Sequence, residues 1–193
     1  GVTGATSVTA STSGADTGTI TLTGTTYNTD GTQTYAAAAG NNILMNGGAT
    51  TTFTSSDDNI AFNTSDILLA AGSNLVVNSN GGAISALAIN GAAGSEDVTL
   101  NANGIAAVGQ TVTVGAIGTG LGNINTVALT GADGVTLNGS ITTDANTGNS
   151  VTVTGPATLG ANVTVDTSAN VTDQTGAIAF SSTINSTGGA RAL

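Results

Sequence analysis

Residues 127–137 read VALTGADGVTL and contain the pattern that recurs through the whole chain. Two apolar-x-apolar triplets, V-A-L and V-T-L, flank the pair Asp133-Gly134. Alternate side chains of a strand point to the same face, so each triplet puts two apolar side chains on one face. Asp and Gly tolerate the positive φ angles that tight turns require. The segment therefore predicts two short β-strands joined by a turn.

The same triplet recurs along most of the chain, with Asn-Gly or Asp-Gly pairs between many of its copies. The triplets that predict strands are Ile20/Leu22, Ile43/Met45, Ile60/Phe62, Leu75/Val77, Leu87/Ile89, Val98/Leu100, Val112/Val114, Val127/Leu129, Val135/Leu137, Val151/Val153, Val163/Val165 and Ile178/Phe180. The best helix candidate is residues 65–72, where Ser65 and Asp66 resemble a cap and Gly72 a stop. It covers barely more than one helical turn. The sequence predicts an all-β protein.

Two all-β architectures accommodate strands of this length. Antiparallel hairpins with Asn-Gly turns would build an immunoglobulin-like β-sandwich, and short parallel strands with the same turns as corners would build a β-solenoid. Aromatic residues make up only 3% of the chain, whereas sandwich cores usually include larger anchors. Abundant Thr, Ser and Asn can stack in ladders between successive coils. The solenoid is favoured, with about 20 residues per coil, nine or ten coils and a length of about 45 Å.

The composition limits the possible partners. Charged residues make up 6% of the chain, Arg191 is the sole Lys or Arg, and the net charge is −10. Nucleic-acid binding requires clusters of Lys and Arg, so we expect no nucleic-acid partner. No apolar run approaches the ~18 residues of a membrane helix, so we expect no membrane insertion. The absence of Cys suits a secreted bacterial surface protein that crosses the envelope unfolded.

We expect residues 1–193 to form a single β-solenoid module. Pro156 lies between two triplets and is predicted to be a corner residue. Both ends of the chain continue the strand-like pattern and lack the polar cap that usually protects a solenoid. We therefore expect either one segment of a longer array or one subunit of a fibre, with copies of the chain as end-to-end partners.

Three stretches resemble the tandem repeats of giant bacterial surface proteins of the filamentous-haemagglutinin-like and related repetitive adhesin type. They are residues 20–28 (ITLTGTTYN), 127–137 (VALTGADGVTL) and 176–184 (GAIAFSSTI). The resemblance implies a right-handed parallel β-helix, export to the cell surface, and a role in adhesion or matrix formation. It does not specify the adhesive target.

No cofactor is required by this interpretation, but some acidic residues are candidates for Ca²⁺ binding. The pairs Asp57-Asp58 and Glu96-Asp97, with Asp66, carry the hard oxygen ligands that Ca²⁺ prefers. Adjacent acids on a strand point to opposite faces, so neither pair can chelate one ion with both side chains on the same face. Solvated acids at corners are the alternative.

A second resemblance concerns catalysis. Asn28-Thr29-Asp30 and the later Asp57-Asp58 are similar to two motifs of polygalacturonases, β-helix enzymes in which paired carboxylates act as general acid and base. Those enzymes also carry a His-Gly element and a basic motif, whereas this chain has no His and its single cation is Arg191. We therefore expect no catalysis.

The remaining side chains suggest packing. Tyr27, Tyr35, Phe53, Phe62 and Phe180 are expected in the core, although exposed aromatics could bind sugars. Arg191 is expected to be solvated or to pair with an acid of the next module.

Several functions remain open at this point. The favoured one is an extracellular structural or adhesive module that forms a stiff rod by stacking strand edges end to end. The alternatives are a pilus or surface-layer subunit that donates residues 2–8 as a strand, a polysaccharide-binding or polysaccharide-active β-helix, and surface binding through a flat Thr array. The pairs Thr21/Thr23, Thr111/Thr113 and Thr152/Thr154 have the alternation that such an array needs.

Overall fold

A parallel ladder of backbone hydrogen bonds connects every turn of the chain to the next. The computed structural model describes residues 1–12, 18–105, 109–120, 122–144, 149–169 and 176–193, with only the backbone of Asn149. Within these ranges all regular structure is β, and every pair of neighbouring strands is parallel. The protein is a β-solenoid of about seven turns. The solenoid prediction is confirmed, and the alternative of an antiparallel immunoglobulin-like sandwich is wrong.

The strands lie on three faces, called sheets A, B and C. Every complete turn contributes one strand to each face, except that the fifth contributes only bridges at Ile117 to sheet C. Sheet A contains β1 (Val2–Ala5), β4 (Thr26–Thr29), β7 (Thr51–Thr54), β10 (Leu75–Asn78), β13 (Asp97–Asn101), β15 (Thr126–Thr130), β18 (Asn149–Thr154) and β21 (Ala177–Phe180). Sheet B contains β2 (Val8–Ser11), β5 (Gln33–Ala36), β8 (Ile60–Phe62), β11 (Ile84–Ala86), β14 (Thr111–Val114), β16 (Gly134–Leu137), β19 (Ala157–Leu159) and β22 (Ile184–Ser186).

Sheet C is built from shorter strands. These are β3 (Ile20–Leu22), β6 (Asn42–Met45), β9 (Asp66–Leu69), β12 (Ile89–Asn90), β17 (Ile141–Thr142) and β20 (Val165–Asp166). Single parallel bridges from Ile117 to Ile89 and to Ile141 join its two parts. The inward side chains of sheet C consequently form one column along the axis, namely Ile20, Ile43, Ile67, Ile89, Ile117, Ile141 and Val165. Branched side chains stacked in this way fill a narrow core without large anchors.

The helix expected at residues 65–72 is a strand. Ile67 and Leu69 are buried while Asp66 and Leu68 are half-buried, which is the alternation of β9. Gly72 has φ of +76° and lies in the turn after it. An apolar residue at every second position fits a strand, and this period overrides the cap-like residues.

The turns are longer and fewer than expected. Register partners in sheet A are 23 residues apart between Val77 and Leu100 and 29 apart between Leu100 and Leu129. Sheets A and B each have eight strands, so the chain makes eight rungs and seven steps of about 4.8 Å, or roughly 34 Å. The expected nine or ten coils are wrong. The estimate of 20 residues per coil left too little chain for three strands and three corners.

Four aromatic rings fill the core of the second and third turns. Tyr27 stacks on Phe53, Tyr35 stacks on Phe62, and Tyr35 also contacts Phe53 edge to face with ring centroids 5.2 Å apart. All four residues are buried, so the core placement is confirmed for them. Phe180 is half-buried against the core.

Hydroxyl groups satisfy the backbone at the corners between sheets A and B. Ser55 Oγ donates a hydrogen bond to the carbonyl oxygen of Asp58 (2.5 Å), and Ser79 Oγ donates in the same way to Gly82. Pro156 lies at the same corner between β18 and β19, as expected, and its carbonyl oxygen accepts a hydrogen bond from the Val135 amide. The hydroxyl groups of Ser55 and Ser79 are thereby paired, as buried polar groups in folded proteins usually are.

Candidate assembly surfaces and acidic sites

The last rung leaves part of its apolar core uncovered. Ile178 continues the inward column of Val151, and Ile184 continues that of Ala157. Val151 and Ala157 are fully buried, whereas Ile178 is 44% exposed and Ile184 39% exposed. The difference arises because the next rung covers the first pair of side chains, while β21 and β22 are edge strands of sheets A and B. An edge of this kind presents unpaired backbone donors and acceptors together with apolar side chains.

The first rung has the same form at the opposite end. β1 and β2 are the other edge strands of sheets A and B, and β3 is an edge strand of sheet C. Val2, Val8 and Ile20 are half-buried and pack against the core from one side. Both ends of the solenoid therefore expose edge strands of sheets A and B, and these edges face in opposite directions.

The last coil also extends toward the third side of the solenoid. The Val163 amide donates a hydrogen bond to the Ala192 carbonyl oxygen (3.0 Å), and the Ala192 amide donates to Asn162 Oδ1 (3.3 Å). Arg191 is exposed beside Gly188. Expected contacts between Arg191 and a further module stay a prediction.

The outer surfaces of sheets A and B consist of columns of small, uncharged side chains. The outward column of sheet B is Thr9, Thr34, Ala61, Ser85, Thr113, Thr136, Thr158 and Asn185. One outward column of sheet A is Asn28, Thr54, Asn78, Asn101, Thr130 and Thr154. Like residues thus stack across turns, as expected from the abundance of Thr and Asn.

The Thr pairs considered for a single flat array lie on different faces. Thr152 and Thr154 are in sheet A, Thr111 and Thr113 are in sheet B, and Thr21 is in sheet C, where its register partner is Leu44. These pairs do not combine into one surface.

The acids considered for Ca²⁺ are spread over the solenoid. Asp57 and Asp58 lie at a corner between sheets A and B, Asp66 begins β9 in sheet C, and Glu96-Asp97 lies where sheet A begins in the fifth turn. Among the described residues, no three acidic, His or Cys side chains are grouped as a metal ion would need. Asp66 Oδ1 instead accepts a hydrogen bond from the Ala88 amide (3.2 Å). Calcium binding stays a prediction, and the positions of these acids add no support to it.

Glu96 is a buried carboxylate that connects two turns through hydrogen bonds. Its Oε1 accepts hydrogen bonds from the Gly72 amide (3.1 Å) and the Ser95 hydroxyl (3.2 Å), and its Oε2 accepts from the amides of Ala93 (3.1 Å) and Ser95 (3.3 Å). Burial alone raises the pKa of the Glu96 carboxyl, but the hydrogen bonds outweigh burial and hold the pKa below its ordinary value. The local sequence does not indicate this role, since the bond to Gly72 joins residues 24 positions apart.

The motifs similar to those of polygalacturonases do meet at one corner. Asp30 follows β4, and Asp58 lies one turn further at the same corner, with its Oδ2 3.9 Å from the position that a Cβ on Gly31 would occupy. No His or Lys occurs in the sequence to complete the elements that the resemblance requires. This corner therefore brings the acidic motifs together, but the sequence lacks the His-Gly element and the basic motif of polygalacturonases.

The geometry defines the protein as a parallel β-solenoid with open edges at both described ends. No family model, curated protein or solved structure matches the chain. Within the described ranges, no helix is long and apolar enough to cross a membrane.

Proposed function

We propose that this chain is an extracellular structural and adhesive module that forms a stiff rod by stacking strand edges end to end. One observation carries the proposal: parallel sheets A and B run the length of the solenoid, and both end on unpaired edge strands in both directions. A ladder that is already continuous through eight rungs needs no new interaction type to continue into further rungs.

The distribution of charge supports a rod of this kind. The outward columns of sheets A and B described above carry no charged residue, whereas the chain as a whole has a net charge of −10. The described acids lie at the corners, on sheet C and at the first residue of β13. Like charges at the corners keep neighbouring rods apart and soluble, while the outward columns of sheets A and B described above are free of like-charge repulsion.

The proposal places the protein on a bacterial cell surface, in keeping with the repeat resemblance and the absence of Cys. Its role there is mechanical and needs neither a cofactor nor catalysis. Backbone hydrogen bonds between turns make the rod rigid, as in other stacked β-structures. A rigid rod holds its adhesive surface at a fixed distance from the cell.

Immunogold electron microscopy on the source cells tests this function. Antibodies raised against residues 1–193 are expected to label thin fibres or elongated rods outside the cell. Labelling confined to the cell interior would overturn the proposal. Small-angle scattering of the purified chain is an independent check. If the rungs stack along one axis, the scattering particles should be elongated.

A further inference from the structure

The two end rungs are built to one pattern. Both contribute parallel strands to sheets A and B, and each strand occupies the same place in the register columns. We propose that the last rung of one copy binds the first rung of a second copy in phase, with sheet A on sheet A and sheet B on sheet B. This inference rests on the proposed function and specifies which residues meet at the junction.

The register columns fix the pairs across such a junction. In sheet A, one inward column runs from Val2 through successive turns to Phe180, so Val2 of the second copy continues it beyond Phe180. In sheet B, the outward column begins at Thr9 and ends at Asn185. Thr9 of the second copy therefore lies one strand spacing, about 4.8 Å, from Asn185.

Strand direction selects a head-to-tail contact. A second copy that continues the parallel ladder presents β1 and β2 to β21 and β22, all running in the same direction. Two copies that met through the same end would be related by a twofold axis, and their edge strands would pair antiparallel. The observed ladders are parallel throughout, so the contact joins two different surfaces and generates an open filament.

Charge and apolar exposure favour a second copy as the partner. β1, β2, β3, β21 and β22 contain no charged residue in a chain with a net charge of −10, so the edge strands of sheets A and B meet without like-charge repulsion. Docking also covers Ile178 and Ile184, which are 44% and 39% exposed. Removal of such apolar side chains from water favours association.

Cysteine cross-linking tests the register, because the natural chain has no Cys. The matched variant carries Thr9→Cys and Asn185→Cys, two exposed positions of sheet B. Within one chain they are about seven rung spacings apart, roughly 34 Å, so a short bismaleimide reagent cannot join them intramolecularly. The expected result is a ladder of covalent multimers on a denaturing gel.

Two control variants separate the alternatives. The pair Thr21→Cys and Asn185→Cys combines sheet C with sheet B and should give no ladder, since in-phase stacking keeps these faces apart. Asn185→Cys alone should remain monomeric. A ladder from the mismatched pair, or covalent dimers from the single variant, would overturn in-phase head-to-tail docking while leaving a stacked rod intact.

The apolar contribution is tested on the same protein. Ile178→Asp with Ile184→Asp should raise the concentration needed for assembly at least about tenfold, whereas Leu87→Asp, at a side chain 46% exposed on the fourth rung, should not. Circular dichroism confirms that each variant is folded. Natural chain that stays monomeric at high concentration would overturn the docking of copies. If rods are nevertheless labelled on the cell surface, the proposed function would still be supported. The rod would then consist of further coils of one polypeptide and not of docked copies.

Discussion

Glu96 stabilises the solenoid through bonds that reach from one turn to another. Both carboxylate oxygens are occupied, and the donors include the Gly72 amide of the preceding turn. A buried carboxylate is tolerated only when such donors replace water. Glu96 therefore stabilises the contact between two turns, and this stabilisation depends on its negative charge.

Replacement of Glu96 by Gln tests that role. Gln keeps the size of the side chain but turns an NH₂ group toward N–H donors, so we expect a loss of about 1–3 kcal/mol in the free energy of unfolding. Chemical denaturation measures the change. Asp30→Asn is the matched control, because Asp30 is exposed, and its cost should stay within about 0.5 kcal/mol. Equal costs for both variants would contradict the role of Glu96.

The same carboxyl makes stability depend on pH. Its pKa is lower in the folded protein than in the unfolded chain, where it is about 4.3. The stabilisation is therefore present above about pH 4.3 and is lost as the pH falls through the folded pKa. The difference in unfolding free energy between the natural chain and Glu96→Gln should shrink as denaturation is repeated from pH 6 to pH 3. A difference that stays constant would show that the charge is not involved.

Gln33 couples the aromatic cluster to the backbone. Its Nε2 donates to the carbonyl oxygens of Tyr27 (3.1 Å) and Thr54 (2.7 Å), and its Oε1 accepts from the Tyr35 hydroxyl (2.9 Å). Burial raises the pKa of Tyr35 above its ordinary value, with a further contribution from Tyr27. The Tyr35 hydroxyl thus stays protonated and donates.

A double-mutant cycle measures this coupling. Gln33→Met leaves the Tyr35 hydroxyl buried without its acceptor and should cost about 1–3 kcal/mol or more. Tyr35→Phe should then be less costly in the Gln33→Met background than in the natural chain. Equal costs of Tyr35→Phe in both backgrounds would contradict the bond.

At the scale of elements, the isoleucine column of sheet C is the most regular feature of the core. Ile67 is fully buried between Ile43 and Ile89, whereas its neighbour Leu68 points outward and is half-buried. Ile67→Ala should lower the unfolding free energy by about 2–5 kcal/mol. Leu68→Ala, the matched control, should cost less than about 1 kcal/mol. The reverse order would mean that β9 has the opposite face inward.

The triplet pattern predicted many of the strands whose inward positions are both apolar, although β9, with Ile67 and Leu69 inward, was taken for a helix. Val98/Leu100 and Val135/Leu137 are typical, with both side chains buried in β13 and β16. Strands with a polar inward residue were missed, such as β5 with Gln33 and β7 with Thr51. Hydrogen-bond partners make Gln33 acceptable inside, whereas the buried Thr51 hydroxyl has no hydrogen-bond partner among the described residues. The local sequence contains neither piece of information. The triplet Leu87/Ile89 is wrong in part, because Leu87 is 46% exposed at a corner and only Ile89 is buried.

At the scale of the whole molecule, the sequence predicted the parallel architecture but not its dimensions. Small branched residues, stacked Thr and Asn, and few aromatics together favour a solenoid over a sandwich. The length of a turn depends on corners such as the one at residues 118–120, where Asn90 Oδ1 accepts a hydrogen bond from the Gly120 amide (3.0 Å). Such corners vary in length without changing the strand pattern, so the number of rungs could not be read from the triplets. The uncovered Ile178 and Ile184 likewise emerge only when register is known.

Fibre diffraction from aligned assemblies of the chain tests the stacked rod most directly. Strands perpendicular to the axis should give a meridional reflection near 4.8 Å. Eight rungs per copy with one further step across each junction should give an axial subunit repeat of about 38 Å. A 4.8 Å reflection on the equator, or a subunit repeat unrelated to eight rungs, would contradict the account.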